Sequence, residues 1–166
     1  TDGGGNYDFG NLAAGDYAVD VDDTTLPPGY TLTSGFHTLS VSLAAGEDFN
    51  DADFGYQEPG TVTGHLFIDG NSNGVQDASE IGLAGVDIDI TDSNLNPVTV
   101  TTDVNGDYQT SLPPGSTTLD VDDATLPAGA TLTTGNDPQT VTVNSGAVTA
   151  SADVGYHIPG PYLYQA

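Results

Sequence analysis

The chain repeats itself. Residues 20–35, DVDDTTLPPGYTLTSG, return as DVDDATLPAGATLTTG at 120–135, and ADFGYQEPG at 52–60 returns as ADVGYHIPG at 152–160. The offset is 100 residues in both cases; ahead of residue 12 it becomes 101, which sets Thr1-Asp2 on Thr102-Asp103 and Tyr7 on Tyr108. Such a period is too long for a solenoid unit and is the size of a β-sandwich domain. It predicts a complete copy over 61–160, the C-terminal part of an incomplete copy over 1–60, and a linker or tail over 161–166. Two back parts share one front part, 61–100. Exchanging fronts between identical chains would leave one back part unfilled per chain. The expectation is therefore a piece of a longer tandem array. The alternatives are a different strand arrangement in the first copy, or strands donated to its open edge by a neighbouring chain.

Within each copy, apolar residues alternate with polar ones. Val86, Ile88 and Ile90 alternate with Asp87 and Asp89, Leu119 and Val121 with Asp120 and Asp122, and Val141 and Val143 with Thr. Period two means one buried and one wet face per strand. Turn signals (DGNSNG, SNLNP, VNGD, PPG, LPAG, NSG) separate the runs. About seven short strands per copy and no helical periodicity predict an all-β fold: tandem Ig-like β-sandwich repeats of about 100 residues.

Charge then removes whole classes of function. The chain has 24 Asp and Glu and no Lys or Arg, a formal net charge of -24, whereas about 25% of an ordinary domain is charged residues of both signs. Nothing neutralises phosphates, so nucleic acid is excluded as a partner. Polybasic attraction to anionic lipid, a Schiff-base lysine and a P-loop lysine are excluded as well. No apolar run approaches the ~18 residues of a membrane span, so direct insertion is not expected. Cys is absent, so a secreted domain of this kind needs another staple, and bound metal is the usual one.

Residues 69–80, DGNSNGVQDASE, supply a candidate. They match the calcium-loop pattern D-x-[DN]-x-[DN]-G-x5-E. Calcium takes six to eight hard oxygens. Asp69, Asn71 and Asn73 offer side-chain oxygens, Val75 a backbone carbonyl, Asp77 a direct or water-borne ligand, and Glu80 two oxygens; Gly74 permits the sharp turn. HLFI before the loop and GLAGVDIDI after it read as strands, so the loop is expected to bridge two strands rather than two helices. Without an ion it would be a polar hairpin loop rich in turn formers.

A second site is expected from Asp103, Asn105, Asp107, Asp120, Asp122 and Asp123 if their turns meet at one end of the sandwich, with Asp2, Asp20, Asp22 and Asp23 as counterparts in the first copy. The competing expectation is that Asp103 and Asn105 merely shape a turn and the other acids are solvated.

The segment GTVTGHLFIDGNSNGVQDASEIGLAGVDIDI, with TTDVNGDYQTSLPPG and LDVDDATLPAG, resembles the B-type repeat of bacterial serine–aspartate repeat surface proteins, within the wider collagen-adhesin B-like (prealbumin-like) sandwiches. The resemblance covers 61–160 throughout and 1–60 in part. It implies Ca2+-stabilised sandwiches stacked as an extracellular, cell-surface stalk, with neighbouring repeats as partners and possible assembly of identical chains into a fibre. It also implies that Asp69, Asn71, Asn73, Val75, Asp77 and Glu80 ligate the ion. Many related sandwiches carry a Lys–Asn or Lys–Asp isopeptide cross-link, which this chain cannot form. The alternative function is a carbohydrate- or protein-binding module using Tyr30, Phe36, Tyr56, Tyr162 or Tyr164. Against that stands packing of Tyr7, Tyr17, Tyr56, Tyr108 and Tyr156 in cores or at joints. The tail residues Tyr162, Leu163 and Tyr164 suggest either a strand added to a neighbouring domain or the start of a linker. His37, His65 and His157 are scattered and form no catalytic motif, so an enzyme is not expected.

Overall fold

The computed structural model describes residues 1–160; the tail expectation for Tyr162–Tyr164 lies outside them. Four strands belong to the first copy: β1 (Gly15–Asp20), β2 (Thr31–Leu32), β3 (Thr38–Leu43) and β4 (Tyr56–Gln57). A short 3-10 turn, Asp23–Thr25, follows β1. Nine strands form the second copy: β5 (Gly60–Ile68), β6 (Asp87–Thr91), β7 (Pro97–Thr101), β8 (Asp107–Leu112), β9 (Gly115–Val121), β10 (Thr131–Leu132), β11 (Gln139–Val143), β12 (Val148–Ala150) and β13 (Val154–His157). The alternation predicts about seven; the excess comes from β10 and β12, two and three residues long, too short for a periodic signal. The chain divides into two compact units, Thr1–Pro28 with Leu32–Tyr56, and Gly29–Thr31 with Gln57 onward.

The second unit is a sandwich of two sheets. One has the order β10-β13-β5-β12, with β8 also on β5; the other runs β11-β9-β6-β7. β5 is the organiser of its sheet. It pairs antiparallel with β8 from Gly60 to His65, and parallel with β12 at Thr61–Thr63 and with β13 at Leu66–Ile68. Leu66, Phe67 and Ile68 are consecutive and all buried, the pattern of a strand covered on both faces. The core between the sheets holds Val62, Leu66 and Ile68 of β5 against Ile88, Ile90, Leu119, Val121, Val143, Tyr108, Leu112 and Tyr156. Fully burying side chains of this size stabilises by roughly 1.5–3 kcal/mol each.

The first unit keeps the β1–β3 ladder, with Tyr17 opposite Val41 and Val19 opposite Leu39. The homologous β9–β11 ladder has the same register, with Thr117 opposite Val141 and Leu119 opposite Gln139. Tyr108 and Tyr156 are buried as expected for core tyrosines, whereas Tyr7 is 40% exposed.

Candidate metal centre

The acidic loop joins β5 to the strand pair beyond it and is anchored at both ends. Ile68 N–H donates to the Ile81 carbonyl and Asp69 N–H to the Tyr156 carbonyl, both at 2.9 Å. Asp69 thus prolongs the β5–β13 pairing by one residue, and this buries it completely, at 0% exposure. Its carboxylate turns into the loop, accepting from Asn73 N–H at 3.2 Å and Gly74 N–H at 2.7 Å. Asn71 Oδ1 accepts from Asn73 N–H at 3.0 Å, and Asn73 Oδ1 from Val75 N–H at 2.8 Å. Glu80 reaches back across the loop to Gly70 N–H at 2.8 Å and Asp77 N–H at 3.0 Å. Asp77 Oδ2 accepts from both amide nitrogens, Asn71 Nδ2 at 2.7 Å and Asn73 Nδ2 at 3.1 Å. Gly74 has φ 76, a left-handed conformation that glycine adopts without strain.

All six expected ligands therefore lie in one tightly bonded loop. Their donor set is hard oxygen throughout, which suits calcium. Acids and imidazoles alone gather in no metal-holding group of three among the described residues, so a cation here would depend on the two amides and the Val75 carbonyl as well as the three acids. Each amide carries both an oxygen and a nitrogen, so turning about the Cβ–Cγ bond offers oxygen where nitrogen now faces Asp77. Burial opposes ionisation of Asp69. The Thr133 hydroxyl beside it and the N–H groups of Gly74, Asn73 and Ser72 outweigh that effect and hold its carboxyl below the usual carboxylate range. The residues fit a hard divalent cation.

The second set of predicted ligands falls into two places. Asp103 Oδ1 accepts from Asn105 N–H at 2.8 Å and Asp107 N–H at 3.0 Å, an Asx-type turn held against β5 by Leu66 N–H donating to the Gly106 carbonyl at 2.9 Å. Asp107 Oδ1 lies 2.7 Å from His65 Nδ1, and His65 Nε2 lies 3.1 Å from Gln76 Nε2. The neutral tautomer with Nδ1–H satisfies both contacts and links this turn to the acidic loop. Asp120 instead stands on the other sheet, directly opposite Asp89. Burial, then Asp137, Asp123, Asp89 and Asp122, push its carboxyl above the usual value. Asp137 accepts from Val121 N–H at 3.0 Å and the Tyr156 hydroxyl at 2.6 Å; burial and that carboxylate push the Tyr156 phenol well up. Asp122 Oδ1 accepts from Ala124 N–H at 2.9 Å. Among the described residues no hydrogen bond joins the Asp103 group to the Asp120 group.

In the first copy the four expected counterparts each meet a separate partner. Asp2 Oδ1 accepts from Gly4 and Asn6 N–H, both at 2.8 Å. Asp22 Oδ1 caps the 3-10 turn, accepting from Thr24 N–H at 3.0 Å and the Thr24 hydroxyl at 2.6 Å. These bonds, from Asn6 for Asp2 and from the Thr24 hydroxyl first for Asp22, lower both carboxyls. Asp20 accepts from the Thr38 hydroxyl at 3.0 Å, and Asp23 lies 3.4 Å from His37 Nδ1. Asp2, Asp92 and Asp103 share one device, accepting from the N–H groups two and four residues on. Sequence reasoning missed the supporting roles of His65, Gln76, Thr133, Asp137 and Tyr156.

The sequence matches the family model of the SdrD B-like domain over residues 60–157. Serine-aspartate repeat-containing protein F of Staphylococcus epidermidis is 34% identical over 91% of this chain and 9% of that protein. Serine-aspartate repeat-containing protein D of Staphylococcus aureus strain Newman is 33% identical over 92% of this chain and 13% of that protein. The chain thus spans only about a tenth of these relatives' length. Among solved structures, the minor pilin GBS52 of Streptococcus agalactiae aligns at TM-score 0.47 and 15% identity, covering 84% of this chain and 64% of that one. A Streptococcal ancillary pilin aligns at 0.43 and 18%, covering 90% and 44%. The matched segment contains the whole acidic loop and every strand of the complete unit: the chain belongs to the SdrD B-like domain family.

Proposed function

We propose that the chain is a structural repeat of an extracellular, cell-surface stalk, and that Ca2+ held by Asp69, Asn71, Asn73, Val75, Asp77 and Glu80 fixes the stiffness of its complete unit. The observation that supports the ion most is the buried Asp69 carboxylate at the end of β5, facing a loop whose other oxygens are already drawn together. The loop connects the strand that organises one sheet to the first strand of the other. A divalent ion there would tie the two sheets through a short span that otherwise holds three mutually repelling carboxylates. The similarity to serine-aspartate repeat-containing proteins supports the surface setting and neighbouring repeats as partners.

The test is calorimetric. Titrating Ca2+ into metal-free protein should give saturable binding near one equivalent at the loop and a higher melting temperature for the complete unit. Glu80→Gln should weaken both. A melting curve unchanged between saturating Ca2+ and EDTA would refute the structural role of the ion.

A further inference from the structure

Among the described residues, of the side chains at 70–80 only that of Gln76 bonds to a residue outside the acidic loop. Its Nε2 lies 3.1 Å from His65 Nε2. The calcium-loop pattern leaves this position free, so the spacing itself does not ask for glutamine. Gln76 stands between Val75 and Asp77, two of the expected ligands. The peptide plane that carries the Val75 carbonyl ends on the Gln76 nitrogen, and Asp77 follows directly. Fixing Gln76 therefore fixes the approach of both.

His65 is itself held on several sides. It is the last residue of β5 paired with β8, directly opposite Asp107, and its Nδ1 lies 2.7 Å from Asp107 Oδ1. Its ring stacks on Phe67, with the planes 9° and the centroids 6.5 Å apart. Phe67 is buried and packs so closely on Gly155 that a Cβ there would come within 2.5 Å of its Cζ. The His65 side chain is only 20% exposed. Hydrogen-bond polarity then gives the path one arrangement: Nδ1–H donates to the Asp107 carboxylate, and Nε2 accepts from the Gln76 amide. Asp107 closes the 103–107 turn, its N–H donating to Asp103 Oδ1 and its carbonyl accepting from Asp103 N–H at 2.8 Å. A second route reaches the same turn. Gly82, two residues beyond Glu80, lies so close to it that an added Cβ would overlap the Asn105 carbonyl.

We infer that Gln76 and His65 are positioning residues that couple cation binding at 69–80 to the order of the 103–107 turn. The inference rests on the calcium reading. A cation that fixes Val75 and Asp77 also fixes Gln76, and through it the His65 ring and the Asp107 carboxylate. Coupling of this kind is reciprocal: the factor by which the ion favours the ordered turn is the factor by which the ordered turn raises the affinity. The path is a contiguous run of hydrogen bonds braced by one aromatic stack, so it can be cut at a single side chain.

The experiment uses the full chain and Ca2+ alone, with titration calorimetry for affinity and amide hydrogen exchange for the turn. In the unaltered chain, Ca2+ should slow exchange across 103–107 as well as 69–80. Gln76→Ala removes an exposed side chain and should leave the melting temperature of the metal-free protein unchanged. It should bind Ca2+ about fivefold or more weakly. At saturating Ca2+ it should keep the protection of 69–80 and lose the added protection of 103–107. His65→Phe, which keeps the stack on Phe67 and removes both hydrogen bonds, should behave alike. The double variant should be no weaker than either single one, because both cut the same path. Undiminished protection of 103–107 in saturated Gln76→Ala overturns the inference and assigns the coupling to the Gly82 contact. Additive losses of affinity in the double variant also overturn it, as does an unaltered chain that binds Ca2+ without added protection of 103–107. In all three outcomes the calcium reading stands. An unaltered chain that binds no Ca2+ removes that reading, and the inference with it.

Discussion

The two units carry homologous back-half sequences and bury them very differently. Leu112 is 1% exposed and its counterpart Leu12 46%; Tyr108 is 6% exposed and Tyr7 40%. The pairings that recur are those made within the back half: β9 with β11 returns as β1 with β3, and β10 with β13 returns as β2 with β4. The pairings that fail to recur all require β5 or β6, strands of the front half. A strand forms only where partners offset the cost of ordering it, about 1–2 kcal/mol per residue. Residues 7–12 have β8's counterpart sequence but no central strand to pair with, so they stay irregular. Strand identity in this fold is therefore a property of the neighbour as much as of the segment.

Core truncation should separate the units most sharply. Leu66→Ala or Leu112→Ala should cost about 2–5 kcal/mol, whereas Leu12→Ala should stay within about 0.5 kcal/mol, both read from denaturant unfolding. Equal losses at Leu112 and Leu12 would mean that the first unit has a closed core after all. Calcium comes next. At 100 times its dissociation constant it should stabilise the complete unit by about 2.7 kcal/mol and leave the exchange rates of residues 1–56 unchanged. Comparable gains in both units would show that binding does not depend on the 69–80 loop.

Thr102 provides a smaller contrast. Its buried hydroxyl donates to the Leu83 carbonyl at 2.8 Å and accepts from Val86 N–H at 3.0 Å. Thr102→Val should cost about 1–3 kcal/mol by leaving those groups unpaired, while the homologous Thr1→Val should have no measurable effect on thermal unfolding. The smallest effect is electrostatic. The Asp120 carboxyl is raised in the folded state, so its ionisation opposes folding at neutral pH and that penalty disappears as pH falls through the folded value. Asp120→Asn should stabilise by a few tenths of a kcal/mol at pH 7 and by nothing near pH 3. Asp20→Asn, facing Thr38 rather than an acid, should give no such gain. A pH-independent Asp120→Asn effect would locate its cause in packing rather than charge.

Much of the architecture was legible in the chain. Alternation at Val86, Ile88 and Ile90 marked the inward face of β6, and the D-x-N-x-N-G spacing located the loop between two strands. Less legible was what the remaining acids do. Asp103 and Asp120 look alike in sequence, yet one closes a turn on β5 beside His65 and the other meets Asp89 across the second sheet. The Asp137–Tyr156 bond left no trace either, because residues 19 apart are brought together only by strand order.

The sequence by itself determined the period, the all-β character, the exclusion of cationic chemistry and the composition of the acidic loop, because each rests on local spacing or on counting. Only the tertiary structure decided that β5 organises one sheet of the sandwich and that Asp69 is wholly buried where that strand ends. Those depend on which strands lie side by side, and pairing across tens of residues is settled by packing and backbone hydrogen bonding rather than by any one segment's preference.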